Sequence, residues 1–320
     1  FTVPGDIKTG DYSLFITRGQ AEQLLGKFTL RVTPIFNIED KPGATIKGAV
    51  YCGGEAVPGV AVSDGVEVTV TDENGYYWLN SAKKHGYVFI SIPSGYEAIS
   101  YGSLPDFWAG LREAGGVVEQ HDFELTKADN DDFVMIVSTD THLANRTSTN
   151  DMTQYEGLYV PDVRNLLSTK YPAGKVYNLI LGDMTWDAYW YTNGFGPAEY
   201  KDRIKDFPVT IFHTMGNHDN DPSRSGDFEC EAKYKKELGP TYYTINLGKV
   251  HYVVLDNIIY KNDTGLHDFD AAITQEQIDW LKKDLALVAD KTAPLMVALH
   301  VPAYRLSGND GGSLTVVSNM

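Results

Sequence analysis

Cysteine is scarce in this chain of 320 residues, which contains only Cys52 and Cys230. The two cysteines fall in different predicted domains and lack the close spacing of a metal-binding pair. The sequence therefore supports neither a disulfide framework nor a zinc knuckle. No run of about 18 apolar residues is present, so a membrane-spanning helix is not expected. The chain starts at Phe1 without a basic segment followed by an apolar core, so no signal peptide is visible and the start resembles a processed or trimmed end.

Positively charged residues are also few relative to negatively charged ones. Lys and Arg number 27 against 43 Asp and Glu, which gives a formal net charge of −16. Proteins that follow a nucleic-acid backbone gain affinity when Lys and Arg displace counterions from phosphates. The charge balance therefore disfavours nucleic acid as a partner and a nuclease as the activity, whereas a small phosphorylated molecule fits it better.

The first 128 residues show strand and turn signals. Residues 1–40 contain alternating runs at 12–17 and 27–32 and are predicted to be a β segment, the tail of an Ig-like module. Residues 41–128 carry turn signals between alternating β-branched residues, at Pro58-Gly59, Asp64-Gly65 and Asn74-Gly75. Short strands that are regularly separated by such turns predict a small β-sandwich.

The pattern changes after an acidic hinge at residues 128–132. From residue 129 to residue 320, apolar β-rich runs alternate with helical segments, which predicts an α/β layered domain with a sheet buried on both faces. The clearest helix is predicted at 274–289, where Thr274 and Gln277 form a capping box. An apolar stripe follows along this helix, made of Ile278, Leu281, Leu285 and Val288.

Polar side chains directly follow four of the apolar runs. The runs at 133–138, 176–181, 209–215 and 295–299 lead into, respectively, Asp140-Thr141-His142, Gly182-Asp183, Gly216-Asn217-His218-Asp219 and His300. Each motif alone is weak, since a Gly-Asp pair is usually a turn and a single histidine is usually a satisfied core residue. Loops at the carboxyl ends of strands converge in open α/β sheets, so we expect the four clusters at one edge of a sheet, within one coordination sphere.

The order of these motifs resembles that of the calcineurin-like metallophosphoesterase superfamily, which shows D-x-H, G-D, G-N-H-[DE], H and finally G-H-x-H. Residues 129–320 match the first four motifs. Residues 44–125 resemble the carboxypeptidase-regulatory-like Ig fold, through turn and core signals only. The predicted fold class is therefore an all-β Ig-like sandwich at 41–128, followed by an α/β metallophosphoesterase sandwich at 129–320 that is incomplete at its C-terminus.

The resemblance implies metal-dependent hydrolysis of a phosphate mono- or diester, with a bridging hydroxide as the nucleophile of a dinuclear centre. Asp183 would bridge the two ions. Asp140 and His142 would complete one metal site, and Asn217 and His300 would complete the other. Two divalent cations are the implied cofactors, and this mixture of carboxylate, imidazole and amide ligands suits Mn, Fe, Zn or Ni.

Two further residues have catalytic roles by the same resemblance. His218 would donate a proton to the leaving oxygen, and Asp219 would orient the His218 ring and favour its charged form. The closing G-H-x-H motif is absent, since no histidine follows His300. Truncation is the favoured explanation because every earlier motif is intact. The alternative is a non-catalytic extracytoplasmic binding protein with a degenerate phosphoesterase domain.

Aromatic and basic residues near the motifs allow two interpretations each. Trp186, Tyr189 and Trp190 would share one helical face, which is more often core, although Trp186 could line a leaving-group pocket. Arg146 and Arg224 could bind a substrate phosphate, or they could be solvated loop residues. A sandwich followed by a phosphoesterase domain resembles secreted or periplasmic bacterial proteins. We therefore expect an extracytoplasmic protein, periplasmic or at the cell surface, acting on a small phosphorylated substrate.

Overall fold

A computed structural model of the protein describes residues 10–19, 21–30, 32–262, 268–306 and 314–316. The chain divides into two units, residues 1–37 and residues 38–320. The described part of the first unit contains an antiparallel hairpin of β1 (Gly10–Arg18) and β2 (Ala21–Leu30), with a register shift between Leu14 and Phe15. The β segment expected there is confirmed, while its assignment to an Ig-like module stays a prediction.

Short strands dominate the start of the second unit, as the turn signals predicted. They form two main sheets, ordered β12-β8-β5-β6 and β13-β3-β14-β9, with β4 and β7 also paired to β3. Their bounds are β3 (Ile46–Cys52), β4 (Glu55–Ala56), β5 (Ala61–Ser63), β6 (Val68–Val70), β7 (Tyr76–Leu79), β8 (Tyr87–Ile90), β9 (Tyr96–Ala98), β10 (Ser100–Tyr101), β11 (Leu104–Pro105), β12 (Trp108–Gly110), β13 (Glu119–Gln120) and β14 (Phe123–Lys127). An all-β region is confirmed, and its Ig-like character stays a prediction.

Helices and strands alternate from residue 133 onward, which confirms the expected mixed α/β region. The elements are β15 (Phe133–Ser138), α1 (Asp151–Gln154), α2 (Val160–Lys170), β16 (Lys175–Leu181), α3 (Pro197–Ile204), β17 (Thr210–Thr214), α4 (Asp227–Cys230), α5 (Ala232–Glu237), β18 (Tyr243–Leu247), β19 (Val250–Val254), β20 (Ile258–Lys261), β21 (Asp268–Ala271), α6 (Gln275–Leu287), β22 (Leu295–Ala298), β23 (Tyr304–Leu306) and β24 (Leu314–Val316).

Two three-stranded sheets organise this region. One is parallel, in the order β15-β16-β17, and the other has the order β18-β19-β22, in which β18 and β19 are antiparallel and β19 and β22 are parallel. The expectation that the four strand ends lie on one edge of a sheet is therefore wrong, because β22 belongs to the second sheet. An apolar run predicts a strand, but it shows neither which strands pair nor whether both faces are covered, since Leu295, Met296 and Val297 of β22 are 45–52% exposed.

The helical stretch between β15 and β16 is continuous but irregular. A π-helical segment, Tyr155–Tyr159, joins α1 to α2. Pro161 lies at the start of α2 and has no backbone N–H to donate to the preceding turn, which favours a local change of hydrogen-bond pattern. Shorter 3-10 turns occur at Asp187–Tyr189 and Asn217–Asp219.

Helix α6 begins where the capping box predicted, because the Thr274 hydroxyl accepts a hydrogen bond from the Gln277 backbone N–H. Its buried face coincides only in part with the predicted apolar stripe, of which Leu281 and Leu285 pack against the core and are partly buried. The fully buried side chains are Gln277, Trp280 and Asp284, whereas Ile278 is 37% exposed. Each polar member of this face is paired: the Gln277 amide bonds both backbone groups of Asp256, and Asp284 bonds His251 and Thr244.

Trp280 links α6 to the N-terminal all-β region, because its buried indole N–H donates to the Ser63 hydroxyl at 3.0 Å. We expect Trp280→Phe to lower the free energy of unfolding by about 1–3 kcal/mol, through the lost hydrogen bond and the space left behind. Trp78→Phe is the matched control, since the Trp78 indole is only half-buried and bonds the Glu39 carbonyl where water can replace it. Urea unfolding of both variants measures the difference, and equal losses would contradict the assignment.

The core joins the N-terminal all-β region to the second sheet. Phe107 of the all-β region packs against Tyr243 of β18, with ring centroids 4.9 Å apart, and both belong to one cluster of buried residues. Neither Cys52 nor Cys230 forms a disulfide bond. Within the described ranges, no helix has both the length and the apolar character needed to cross a bilayer.

Candidate functional site

The candidate site forms where strands of both sheets end. The carboxyl ends of the neighbouring parallel strands β15, β16 and β17 lead to Asp140, Asp183 and Asn217. His300 follows β22 of the other sheet, yet its ring reaches the same place, since His300 Nε2 lies 3.1 Å from the Asn217 Oδ1 atom. The predicted convergence therefore occurs, but at the junction of two sheets rather than along one edge.

Asp183 occupies the middle of the cluster. Its Oδ2 atom lies 3.4 Å from His142 Nε2 and 3.5 Å from His300 Nε2, while its Oδ1 atom accepts a hydrogen bond of 2.8 Å from the His218 backbone N–H. Two groups of ligand-type atoms share this carboxylate, one with His142 and His218, the other with Asp140 and His300. Within each group all the atoms lie within 4.8 Å of one another, a spacing at which one cation can contact several of them.

The backbone at the site is strained. Asp140, His142 and Asp183 have φ values of 55°, 45° and 53°, in the left-handed region that residues with a Cβ atom rarely adopt. Such conformations cost free energy and persist only where the surrounding structure enforces them, which is common at ligand-binding sites. Three of the five predicted metal ligands therefore owe their positions to unfavourable backbone geometry.

Gly216 allows the loops to approach closely, because a Cβ atom at this position would lie 2.3 Å from both the backbone nitrogen and Oδ1 of Asp183. We expect Gly216→Ala to displace the Asp183 carboxylate and to weaken Mn²⁺ binding at least about tenfold, with the secondary structure retained. Calorimetric titration with Mn²⁺ measures the change. Gly157→Ala is the control, since nothing lies within 4 Å of a Cβ atom there. Equal affinities in the two variants would contradict the expectation.

The hydrogen bonds of His300 indicate which of its ring nitrogens would bind a metal ion. Its Nδ1–H donates to the Leu181 carbonyl at 2.7 Å, so Nε2 is the ring atom that faces the cluster. Nε2 lies near two acceptor atoms, Asn217 Oδ1 and Asp183 Oδ2. A cation would replace the proton on Nε2 and would be shared among the three atoms. The buried Nδ1 atom of His142 has no hydrogen-bond partner among the described residues, so no neighbour fixes which ring nitrogen of His142 carries the proton.

Charge within the cluster also favours a cation. Burial lowers the pKa of His300, but the Asp183 carboxylate raises it more, to about 9, so a proton occupies the ring at neutral pH when no metal competes. Burial raises the pKa of Asp183, and the contacts with His300 and His218 outweigh this and lower it overall. The carboxylate is thus ionised and ready to bind a positive ion, as the donor set of two carboxylates, two imidazoles and an amide requires.

The ring of His218 has a different partner from the predicted one. Its Nδ1–H donates to Asp187 Oδ1 at 2.8 Å, and the other Asp187 oxygen accepts from the Tyr260 hydroxyl at 2.9 Å. Asp219 is buried and accepts hydrogen bonds from the backbone N–H groups of Gly216 and Thr185. The expectation that Asp219 orients the ring is therefore wrong: Asp219 holds the loops together, and Asp187 contacts the ring. That Asp219 favours the charged form of the ring stays a prediction.

The sequence pattern did not identify Asp187 as a site residue, because the aromatic residues around it have the spacing of one helical face. The signal was a second carboxylate four positions after Asp183. The 3-10 turn at Asp187–Tyr189 turns this carboxylate inward, so that it is 3% exposed beside the His218 ring. Tyr260, on β20, carries no sequence signal that links it to the site, since its contact depends on tertiary packing.

The aromatic residues do not form the expected shared face. Trp190 is buried, whereas Trp186 is half-buried and has extended backbone geometry. The Trp186 ring lies near both site histidines, with centroid distances of 5.2 Å to His142 and 5.7 Å to His218. Trp186 therefore forms a wall of the site rather than part of the core.

The two arginines occupy different environments. Arg146 lies over the Trp186 ring, 4.6 Å from its centroid, and donates weakly to the His142 carbonyl and to Asp151. Arg224 is exposed, and among the described residues no contact joins its side chain to the cluster. Arg146 is thus the arginine that borders the site.

The mixed α/β region thus carries a cluster of His and Asp side chains that could hold a metal ion. The calcineurin-like phosphoesterase family profile matches residues 133–317, and a profile described as the N terminal of calcineurin-like phosphoesterase matches residues 44–128. The chain belongs to the calcineurin-like phosphoesterase family. The members of this family use divalent metals.

A plant relative agrees with this assignment. Purple acid phosphatase 23 of Arabidopsis thaliana is 33% identical over 98 residues, which correspond to 28% of this chain and 19% of the relative. The chain therefore matches about a fifth of the length of that curated protein. Together with the family profile, the relative supports hydrolysis of phosphate esters.

Proposed function

We propose that this protein hydrolyses the phosphate mono- or diester of a small molecule at a dinuclear metal centre. The observation that carries the proposal is the shared Asp183 carboxylate, which faces imidazoles from two different sheets at 3.4 and 3.5 Å. Asp140 and His142 would hold one ion with Asp183, and Asn217 and His300 would hold the other. When bound, the two ions would activate a water molecule and neutralise charge on the phosphoryl oxygens.

His218 would supply the proton for the leaving oxygen. Its Nδ1–H is engaged by Asp187, so Nε2 is the atom that can carry a transferable proton. Burial lowers the pKa of His218, while the Asp187 hydrogen bond and the neighbouring carboxylates raise it more, and the net shift is upward. The protonated ring therefore persists to higher pH than in a free histidine, as a general acid at neutral pH requires.

Arg146 and Trp186 would contact the substrate. The Arg146 guanidinium stacks on the Trp186 ring, which itself lies beside both site histidines. A cation at this place would attract the phosphate group, and the partly exposed indole would pack on an apolar or ring-shaped leaving group. Arg224 is a weaker choice because its side chain is exposed and distant from these contacts in the described region.

The same proposal includes the size of the substrate and the location of the protein. An excess of 16 negative charges favours a small phosphorylated molecule over a polyanion. The combination of a β-sandwich with a phosphoesterase domain supports an extracytoplasmic location, periplasmic or at the cell surface. Fractionation of the producing cells, followed by detection with an antibody, tests the location independently of the activity.

Hydrolysis of p-nitrophenyl phosphate and bis-p-nitrophenyl phosphate tests the reaction. The protein is first stripped with a chelator and then supplied with Mn²⁺, Zn²⁺, Fe²⁺ or Ni²⁺, and release of p-nitrophenol is followed. We expect hydrolysis only after metal is restored, and the two esters distinguish a monoesterase from a diesterase. Measurement of metal content completes the test. Inactivity on both esters, with fewer than one bound ion per chain, would favour the alternative of a binding protein with a degenerate phosphoesterase domain.

A further inference from the structure

A second concave site lies away from the metal-binding cluster. It is a cavity of about 500 Å³ between the sandwich residues 101–108 and the phosphoesterase elements α3, β17, α5 and β18. None of the predicted metal ligands lines it. Its volume falls in the usual range for small-molecule pockets, which is about 300–1,000 Å³.

The cavity walls are mostly aromatic or aliphatic. Residues of the sandwich and of the phosphoesterase region contribute to them, including Leu104, Phe107, Trp108, Ile211, Phe212 and Tyr243. His213, which also lines the cavity, is buried, and burial lowers its pKa to about 3, so its ring is uncharged at neutral pH. The aromatic and aliphatic part of these walls favours apolar surface on a ligand.

The segments that surround the cavity are closely packed against each other. Gly239 lies against the Trp108 indole, where a Cβ atom would be 2.5 Å from the ring nitrogen, and Gly102 lies against the Lys205 carbonyl, where a Cβ atom would be 2.3 Å from the oxygen. The hydroxyl of Ser103, which directly follows Gly102, donates to the Ile204 carbonyl at 2.6 Å. Close contacts on both sides therefore hold the sandwich segment in place, and a ligand would meet a preformed pocket.

Polar groups at the cavity are few. Tyr234 lines it, is fully buried, and has a hydroxyl without a hydrogen-bond partner among the described residues. A buried hydroxyl left without a partner is uncommon and costs free energy, so a ligand or water that bonds it would be favoured. Two ion pairs line the cavity, Lys201 with Glu237 and Lys205 with Asp202, and Asp106 adds a further carboxylate.

We propose that this cavity is a binding site for a small, uncharged, ring-containing molecule that carries a hydroxyl or another hydrogen-bonding group. Aromatic walls fit the flat faces of one or two fused rings. The cavity is lined by three carboxylates and two lysines, each lysine paired with one of the carboxylates, and this negative balance disfavours a phosphorylated ligand and distinguishes the cavity from the metal site. The proposal does not depend on the hydrolytic function.

Binding of 2-naphthol tests the proposal, because this probe has two fused rings and one hydroxyl. Calorimetric titration is carried out on the chelator-treated protein and on Asp183→Asn, so that the metal site cannot contribute. We expect saturable binding of one molecule per chain with a dissociation constant below about 1 mM in both proteins. Absence of saturable binding would overturn the proposal while leaving the hydrolysis assay unaffected.

Matched tryptophan substitutions locate the bound probe. Ala198 lies on α3 at the cavity, so Ala198→Trp should fill the space and weaken 2-naphthol binding at least about tenfold. Ala286→Trp is the control, because Ala286 is an exposed helical alanine on α6 that does not line the cavity. Lys201→Trp, at the mouth, serves as a second blocking variant in case Ala198→Trp unfolds. Unchanged affinity in a folded blocking variant would refute the site.

Discussion

Asp183→Asn should lower kcat for p-nitrophenyl phosphate by at least about 1,000-fold and reduce the bound metal to fewer than two ions per chain. The asparagine keeps an oxygen that can accept the hydrogen bond from the His218 backbone, which spans 2.8 Å in the protein. It replaces Oδ2, the atom that faces His142 and His300, with an amide nitrogen that cannot bind a cation. Loss of charge stabilisation worth about 4 kcal/mol corresponds to a rate loss of about 1,000-fold.

The fold should survive this substitution, which separates loss of metal from loss of structure. Thermal unfolding and metal analysis are therefore measured on the same preparation of Asp183→Asn. Asp279→Asn is the control, because Asp279 is an exposed aspartate on α6 that pairs with Lys282 at the surface. It should retain wild-type activity and metal content. Full metal occupancy in a folded Asp183→Asn protein would rule out the bridging role.

The sequence was sufficient to predict which chain segments meet. Asp140, Asp183 and Asn217 each follow an apolar run, and parallel pairing of β15, β16 and β17 brings their carboxyl ends side by side. This inference depends only on local pattern and on the general geometry of parallel sheets. The acidic hinge and the β-rich region before it were equally visible in the sequence.

Pairing between distant elements was not predictable. His300 reaches the cluster from a second sheet, and the Leu181 carbonyl fixes its ring from 119 positions away in sequence. The partner of His218 was likewise misassigned, because adjacency in sequence favoured Asp219. In the 3-10 turn at 217–219 the carboxylate of Asp219 points back to its own loop, at Gly216 N–H, whereas Asp187 approaches from another turn.

Helix α6 shows why the hydrophobic pattern alone identified only part of a buried face, namely Leu281 and Leu285. Ile278 belongs to the predicted stripe, yet it is more exposed than Gln277, which has polar partners in the β19–β20 connection. A buried amide or carboxylate is tolerated when all its hydrogen bonds are made, and these partners come from other elements. No single segment of the sequence contains that information.

The second large effect expected is that of His218→Gln. If His218 is the proton donor that we propose, and not a metal ligand, its removal should lower kcat for p-nitrophenyl phosphate by about 100- to 10,000-fold and leave the bound metal unchanged. Metal analysis beside the kinetics distinguishes the two roles, since His218 also lies within 4.8 Å of His142 and Asp183 ligand atoms. Loss of one ion per chain would show that His218 is a ligand instead. His121→Gln, in the sandwich, is the control.

Asp187→Asn completes the same prediction, because Asp187 raises the pKa of His218 through a 2.8 Å hydrogen bond. A general acid works only while protonated, so the basic limb of the kcat profile follows the pKa of this ring. With a neutral asparagine in place of the carboxylate, the ring loses its proton at lower pH. The basic limb should therefore move to lower pH, and the rate should fall most at alkaline pH. A profile that is merely scaled down, with both limbs unmoved, would mean that Asp187 supports the fold rather than the charge of His218.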